Sequence, residues 1–218
     1  MPLGPCYLCR TKNVLVERDH LPPKNLFEEP RPSNLITCPI CLSCHKNTHE
    51  DDEAFRVFTT GYVTRNEAAA SLWKNKVVPR TLERGRIQPF LNRLRKTAEP
   101  AVVSIGQLHL PVMKFGVDRA PINRVLTRIT RGLFSTFAPH IDARELRFRI
   151  NMIDPFQLPA RLSFASQILN HLSRGKDVYD CWWGFDEAEA RTGLWVHMFF
   201  RSVAFAVRHR AAVRRPRL

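Results

Sequence analysis

Five cysteines fall within the first 44 residues, at Cys6, Cys9, Cys38, Cys41 and Cys44. Two Cys-x-x-Cys pairs, Cys6/Cys9 and Cys41/Cys44, have the spacing of a four-thiolate zinc site. Each pair can chelate from one tight turn, and tetrahedral zinc needs four such ligands. Cys38-x-x-Cys41 has the same spacing. The 41/44 register is preferred because Pro39 then shapes the turn and a helix starts at the metal, which leaves Cys38 as a small buried residue. The first twenty residues lack an apolar signal core, so a reducing cytoplasm is expected, where paired cysteines serve as metal ligands more than as disulfides. About sixty residues with so few large aliphatics make a marginal core, and a structural metal remedies that. Cys181, alone on a β-prone run, reads as an ordinary core thiol.

The charge is divided unevenly. Residues 1–60 hold 7 Lys/Arg and 8 Asp/Glu, whereas residues 61–218 hold 27 and 12, so nearly all of the net +14 lies in the second part. That separates a compact cysteine- and histidine-rich module from a basic region suited to a polyanion. No run approaches the ~18 apolar residues of a membrane span, so no membrane partner is expected. The organisation expected is α+β: a module at 1–60, a basic helical connector at 61–100, and an α+β domain at 101–218 that ends in a basic tail, Arg208–Arg217. In the connector, Glu67 to Lys76 is helix-prone, and Arg84 and Arg86 belong to a cationic run. Beyond it, Ala101–Ile105 and Leu108–Phe115 read as strands around Gly106-Gln107. Asp118–Phe137 is the clearest helix, with Ile122, Val125, Leu126, Ile129, Leu133 and Phe137 on one face and Arg124, Arg128 and Arg131 on another. Leu146–Met152 reads as a strand, Pro159–Leu172 as a helix, and Val178–Phe185, Leu194–Phe200 and Val203–Val207 as further strands.

A second set of polar residues accompanies the cysteines: Asp19-His20 before Pro22-Pro23, Asn34 before a short strand, and His45-x-x-x-His49. On a helix, positions i and i+4 face one way and can share a cation. The zincin pattern needs Glu after the first histidine, and Lys46 stands there instead. With the text Cys6-x-x-Cys9, Asp19-His20-Leu21-Pro22-Pro23-Lys24, Asn34-Leu35-Ile36-Thr37 and Cys41-x-x-Cys44-His45, the first 55 residues or so resemble the HNH endonucleases, whose fold is the ββα-metal finger. Over more of the chain, Asp51 to Arg56 and Asn123 to Leu126 are similar to a bacterial group carrying that domain at the N-terminus.

The resemblance implies a metal-dependent hydrolase of DNA. It makes His20 the general base and Asn34 the residue that orients loop and base. Asp19, His45 and His49 become ligands of a catalytic divalent cation (Mg²⁺, Mn²⁺, Ni²⁺ or Zn²⁺), and Cys6, Cys9, Cys41 and Cys44 those of a structural zinc. On an ideal strand, adjacent Asp19 and His20 point to opposite faces, so the chain is expected to leave strand geometry there. Phosphodiester hydrolysis needs a deprotonated water, which an imidazole can generate near neutrality, and a cation to stabilise the leaving oxygen. Lys24, Arg84, Arg86, Arg124, Arg128 and Arg131 are the expected phosphate contacts. For the Arg124 stripe the competing reading is a solvated face, or one buried against an acidic partner. Other outcomes of the same pattern are a zinc-stapled nucleic-acid-binding module without catalysis, and a nuclease effector of a defence or toxin-like complex activated by a protein partner. The C-terminal region could then serve partner docking or homodimerisation.

Overall fold

In the computed structural model, which describes residues 1–46, 48–61, 66–82, 87–155, 169–185 and 192–211, the chain is mixed α+β. A small sheet comes first: β1 (Leu3–Gly4), β2 (Val14–Leu21) and β3 (Ile36–Cys41), in the order β1-β2-β3. The proline-rich excursion between β2 and β3 contains a short 3-10 turn at Lys24–Leu26. Then come α1 (Leu42–Lys46), α2 (His49–Gly61) and α3 (Glu67–Leu72), which runs into a π-helical stretch at Trp73–Leu82, and α4 (Gln88–Lys96). A two-stranded hairpin, β4 (Glu99–Ile105) and β5 (Leu108–Lys114), stands apart, with every residue of β5 exposed. After α5 (Arg119–Phe137) the chain builds a second sheet from β6 (Leu146–Ile153), β7 (Asn170–Arg174), β8 (Tyr179–Phe185), β9 (Thr192–Phe199) and β10 (Val203–Ala211). Its order is β6-β10-β9-β8-β7, antiparallel throughout.

α5 is the central element. Asp118 caps it by accepting from the Ala120 N–H at 3.0 Å, the usual remedy for an orphan donor at a helix start. Its apolar face, Ile122, Val125, Leu126, Ile129 and Leu133, is buried. Phe137, expected on that face, is 40% exposed and stacks on Trp183 at 4.6 Å. One side of α5 meets the five-stranded sheet, where Phe134 packs edge-on to Trp195 and His209. The other meets β2, β3 and α2. Residues from both parts join one continuous core, from Cys6, Leu21, Ile40 and Phe55 to Trp195, Phe199 and Val207.

Four expectations are corrected. β2 keeps regular pairing through Leu21, with Asp19 opposite Cys38 and His20 opposite Thr37, so the chain does not leave strand geometry at Asp19-His20. Pro39 lies within β3, opposite Arg18, rather than shaping a turn. β3 is an edge strand, where a missing N–H is tolerated, and the Pro39 carbonyl accepts from Tyr7 N–H at 2.9 Å. Of the helix expected at Pro159–Leu172, residues 156–168 lie outside the described residues. Asn170–Leu172 form strand β7 instead, because Leu172 pairs with Cys181 and fills the core beside it. Arg208 and Arg210, expected in the basic tail, belong to β10, and residues 212–218 lie outside the described residues. No helix among the described residues is long and apolar enough to cross a membrane.

Candidate functional site

The two cysteine knuckles meet at the top of the small sheet. The first is a tight loop before β2, closed by Arg10 N–H to the Cys6 carbonyl at 2.8 Å and Cys6 N–H to the Thr11 carbonyl at 3.0 Å. The second forms where β3 ends at Cys41 and α1 begins at Leu42, so the helix does start at the cluster. The four sulfurs of Cys6, Cys9, Cys41 and Cys44 lie within 4.8 Å of one another, and this group could hold a metal ion such as zinc. The Cys9 and Cys41 sulfurs are 3.7 Å apart, close to the ~3.8 Å edge of a tetrahedron with Zn–S bonds of about 2.3 Å.

Hydroxyls support the sulfurs: Thr11 Oγ1 lies 3.2 Å from Cys9 and Ser43 Oγ lies 3.1 Å from Cys41. The Ser43 contact holds the Cys41 thiol down to about 6, and Thr11 lowers Cys9. Burial raises Cys6, and raises Cys44 together with the neighbouring Cys41 sulfur. Four crowded sulfurs cannot all ionise without a cation among them, which is the chemistry a structural zinc supplies. Cys38 is not part of this group. Its sulfur lies 3.5 Å from the Gly132 carbonyl and 3.7 Å from Thr136 Oγ1, buried against α5.

Next to this cluster, His20, Lys24, Asn25, His45, His49, Glu50 and Glu53 line a cleft of about 460 Å³. The strand alternation turns His20 to the more open side of β2 while Asp19 and Leu21 are buried. Burial, reinforced by the nearby Lys24 charge, pushes the His20 imidazole below its ordinary value, so it is neutral near pH 7. The spacing of His45 and His49 was expected to lie within one helix. The chain breaks between α1 and α2 instead, with Thr48 N–H and Oγ1–H both donating to the His45 carbonyl. The two rings still lie close, with centroids 5.2 Å apart. Glu17 contacts His45 Nδ1 through its carboxylate, an arrangement that fixes a ring and strengthens its other nitrogen as a ligand. The sequence reading missed Glu17, although it lies two positions before Asp19 on the same strand.

Asp19 also borders this cleft, but its carboxylate is already engaged. Its carboxylate accepts from Tyr7 OH at 2.5 Å and lies 3.5 Å from Arg128 Nε. Among the described residues, the four-cysteine group is the cluster with metal-holding geometry, and Asp19, His45 and His49 do not form a second one. Asn34 is exposed in the turn before β3, with no side-chain hydrogen bond among the described residues.

The expected phosphate contacts also separate. Arg84 and Arg86 lie outside the described residues. Lys24 is exposed at the cleft. Arg128, expected on a nucleic-acid surface, has a side chain only 5% exposed, and it donates to Asp52 of α2 as well as approaching Asp19. Arg124 forks onto Asp51 through two bonds of 2.7 Å. Arg131 lies over the Phe148 ring at 5.8 Å. The acidic partner of the stripe is therefore the chain's own α2, whose first turn carries Asp51 and Asp52. One buried guanidinium serves two carboxylates, so burial raises Asp52 to about 7 even against the Arg128 charge. Comparisons with protein-family models, with curated proteins and with solved structures found no match to the chain.

Proposed function

We propose that this chain is an HNH-type, divalent-cation-dependent endonuclease that hydrolyses phosphodiester bonds in DNA. The observation that carries the reading is the cleft beside the four-cysteine group, where His20 stands with His45, His49 and Lys24. His20 is held neutral near pH 7 by burial and by Lys24, so its free nitrogen can take the proton of an attacking water. Lys24, exposed at the mouth, offers its ammonium to a phosphate oxygen. Glu17 orients the His45 ring. His45 and His49 are the side chains that would hold a cation, which when bound stabilises charge developing on the leaving oxygen. The chain's four-cysteine group would fix β2, β3 and α1 relative to one another, and so fix the spacing of the three histidines.

A second reading is a zinc-stapled nucleic-acid-binding module without catalysis. It is favoured by the engagement of Asp19 with Tyr7 and Arg128, which removes the third ligand from the histidine pair. Supercoiled plasmid incubated with purified protein and Mg²⁺ or Mn²⁺ separates the two. Nicked or linear product from the wild type and none from His20→Ala supports the nuclease, and no product under either cation supports the binder.

A further inference from the structure

On the face of the five-stranded sheet turned away from α5, two arginines are set directly against two others. In the register of β6 with β10, Arg149 pairs with Arg208 and Arg147 with Arg210. All four are exposed, while their neighbours Leu146, Val207 and His209 are buried on the α5 side. Among the described residues none of the four has a carboxylate partner. On β9 the next positions across are Thr192 and Leu194, which bring no acid to the patch. Like charges directly opposite one another destabilise a sheet, and here the opposition occurs twice in succession. A site assembled against the sheet's own stability calls for an anion that resides there.

The geometry favours a phosphate backbone. Side chains at i and i+2 on one strand are about 6.7 Å apart, and opposite positions about 5 Å apart. Four guanidinium groups therefore occupy a small, nearly square patch. Each can fork onto phosphate oxygens, which a lysine ammonium does less well. β6 is the edge strand, so the patch opens at a sheet corner, while further along the same face Val196 and Ala204 are buried and apolar. Among the described residues, the acids that neutralise Arg124 and Arg128 on α5 have no counterpart here.

We infer that Arg147, Arg149, Arg208 and Arg210 form a docking surface for the phosphate backbone of DNA, distinct from the histidine cleft and on the far side of the sheet from it. The inference rests on the reading of the chain as a DNA-acting protein and adds where a long substrate is gripped. The test is the salt dependence of duplex-DNA binding, read by fluorescence anisotropy on the full chain in the wild type, Arg149→Gln/Arg208→Gln, Arg147→Gln/Arg210→Gln and His20→Ala. Each lost phosphate contact should make the log–log slope shallower by about 0.9, so each pair variant should flatten it by about 1.8. His20→Ala should leave it unchanged. Melting temperatures of the pair variants should hold or rise, since a repulsion is removed. Unchanged slopes with wild-type plasmid cleavage overturn the docking surface and leave the nuclease standing. Flattened slopes in a protein that cleaves under no cation keep the surface and remove the nuclease. Unchanged DNA slopes with lost binding to poly-glutamate assign the patch to an acidic protein and overturn the inference, as does a lowered melting temperature with an unchanged slope.

Discussion

A Cβ on Gly132 of α5 would stand 2.0 Å from Cδ1 of Leu21 on β2. The helix and the small sheet therefore meet at a point where only a hydrogen fits. Gly132→Ala should destabilise the chain by ~1–3 kcal/mol, the usual cost of overpacking. Leu21→Ala in the same chain should recover part of that loss, giving a non-additive cycle in urea melts. Additive losses would mean that the two residues do not share the space.

The four-cysteine group should bind one zinc per chain. Chelation, or Cys44→Ala, should lower the melting temperature and expose the small sheet to proteolysis, because metal binding and folding are coupled in such modules. Cys38→Ala should keep full zinc content, since its sulfur lies against Gly132 and Thr136. Elemental analysis of the purified variants checks both, and zinc lost from Cys38→Ala would contradict the assignment.

Arg128 and Arg124 lie four residues apart on α5 and should behave very differently. Arg128→Met leaves Asp19 and Asp52 buried without their cation, a loss of the order of 3–5 kcal/mol. Arg124→Gln breaks an exposed pair with Asp51, 61% exposed on the arginine side, and should cost about 0–1 kcal/mol. Equal effects in denaturant titrations would show that the buried network is not what ties α5 to α2.

His197 sets an acid limit on stability. It is fully buried on β9 between Thr130 Oγ1 at 3.0 Å and Tyr179 OH at 2.9 Å, and burial pushes it down to about 3. The unfolded chain takes up a proton at this residue near pH 6.5, whereas the folded chain does so only near 3. Stability from this group is complete above pH 6.5 and is lost as the pH falls toward 3, at up to ~1.4 kcal/mol per pH unit. His197→Gln should flatten that acid slope. A slope unchanged by the substitution would show that His197 does not carry it.

The knuckles were legible in the sequence because thiolate chelation depends on local spacing, which two Cys-x-x-Cys pairs fix almost alone. The long helix was legible because its apolar face repeats over 19 residues. The role of Arg128 was not. Its position on a polar stripe gives no sign that Asp52, 76 residues earlier, folds over it. Glu17 was missed for the same reason, since its relation to His45 exists only once β2 pairs with β3. Arg208 and Arg210 read as part of a tail because a charged run carries no strand period. Their pairing with β6 is set by Phe205, Val207 and His209, which face the core. Asn170 to Leu172 read as helix because they end the run that begins at Pro159, and the pairing of Leu172 with Cys181 exists only once the ladder forms.

In the proposed nuclease, His20 activates water for cleavage of DNA. Single-turnover cleavage of a duplex by the wild type and His20→Ala, with binding measured in parallel under the same salt and Mn²⁺, tests it most directly. His20→Ala should lower the cleavage rate by ~10²–10⁴-fold, with DNA affinity and melting temperature unchanged. A His20→Ala protein that cleaves at the wild-type rate would contradict it.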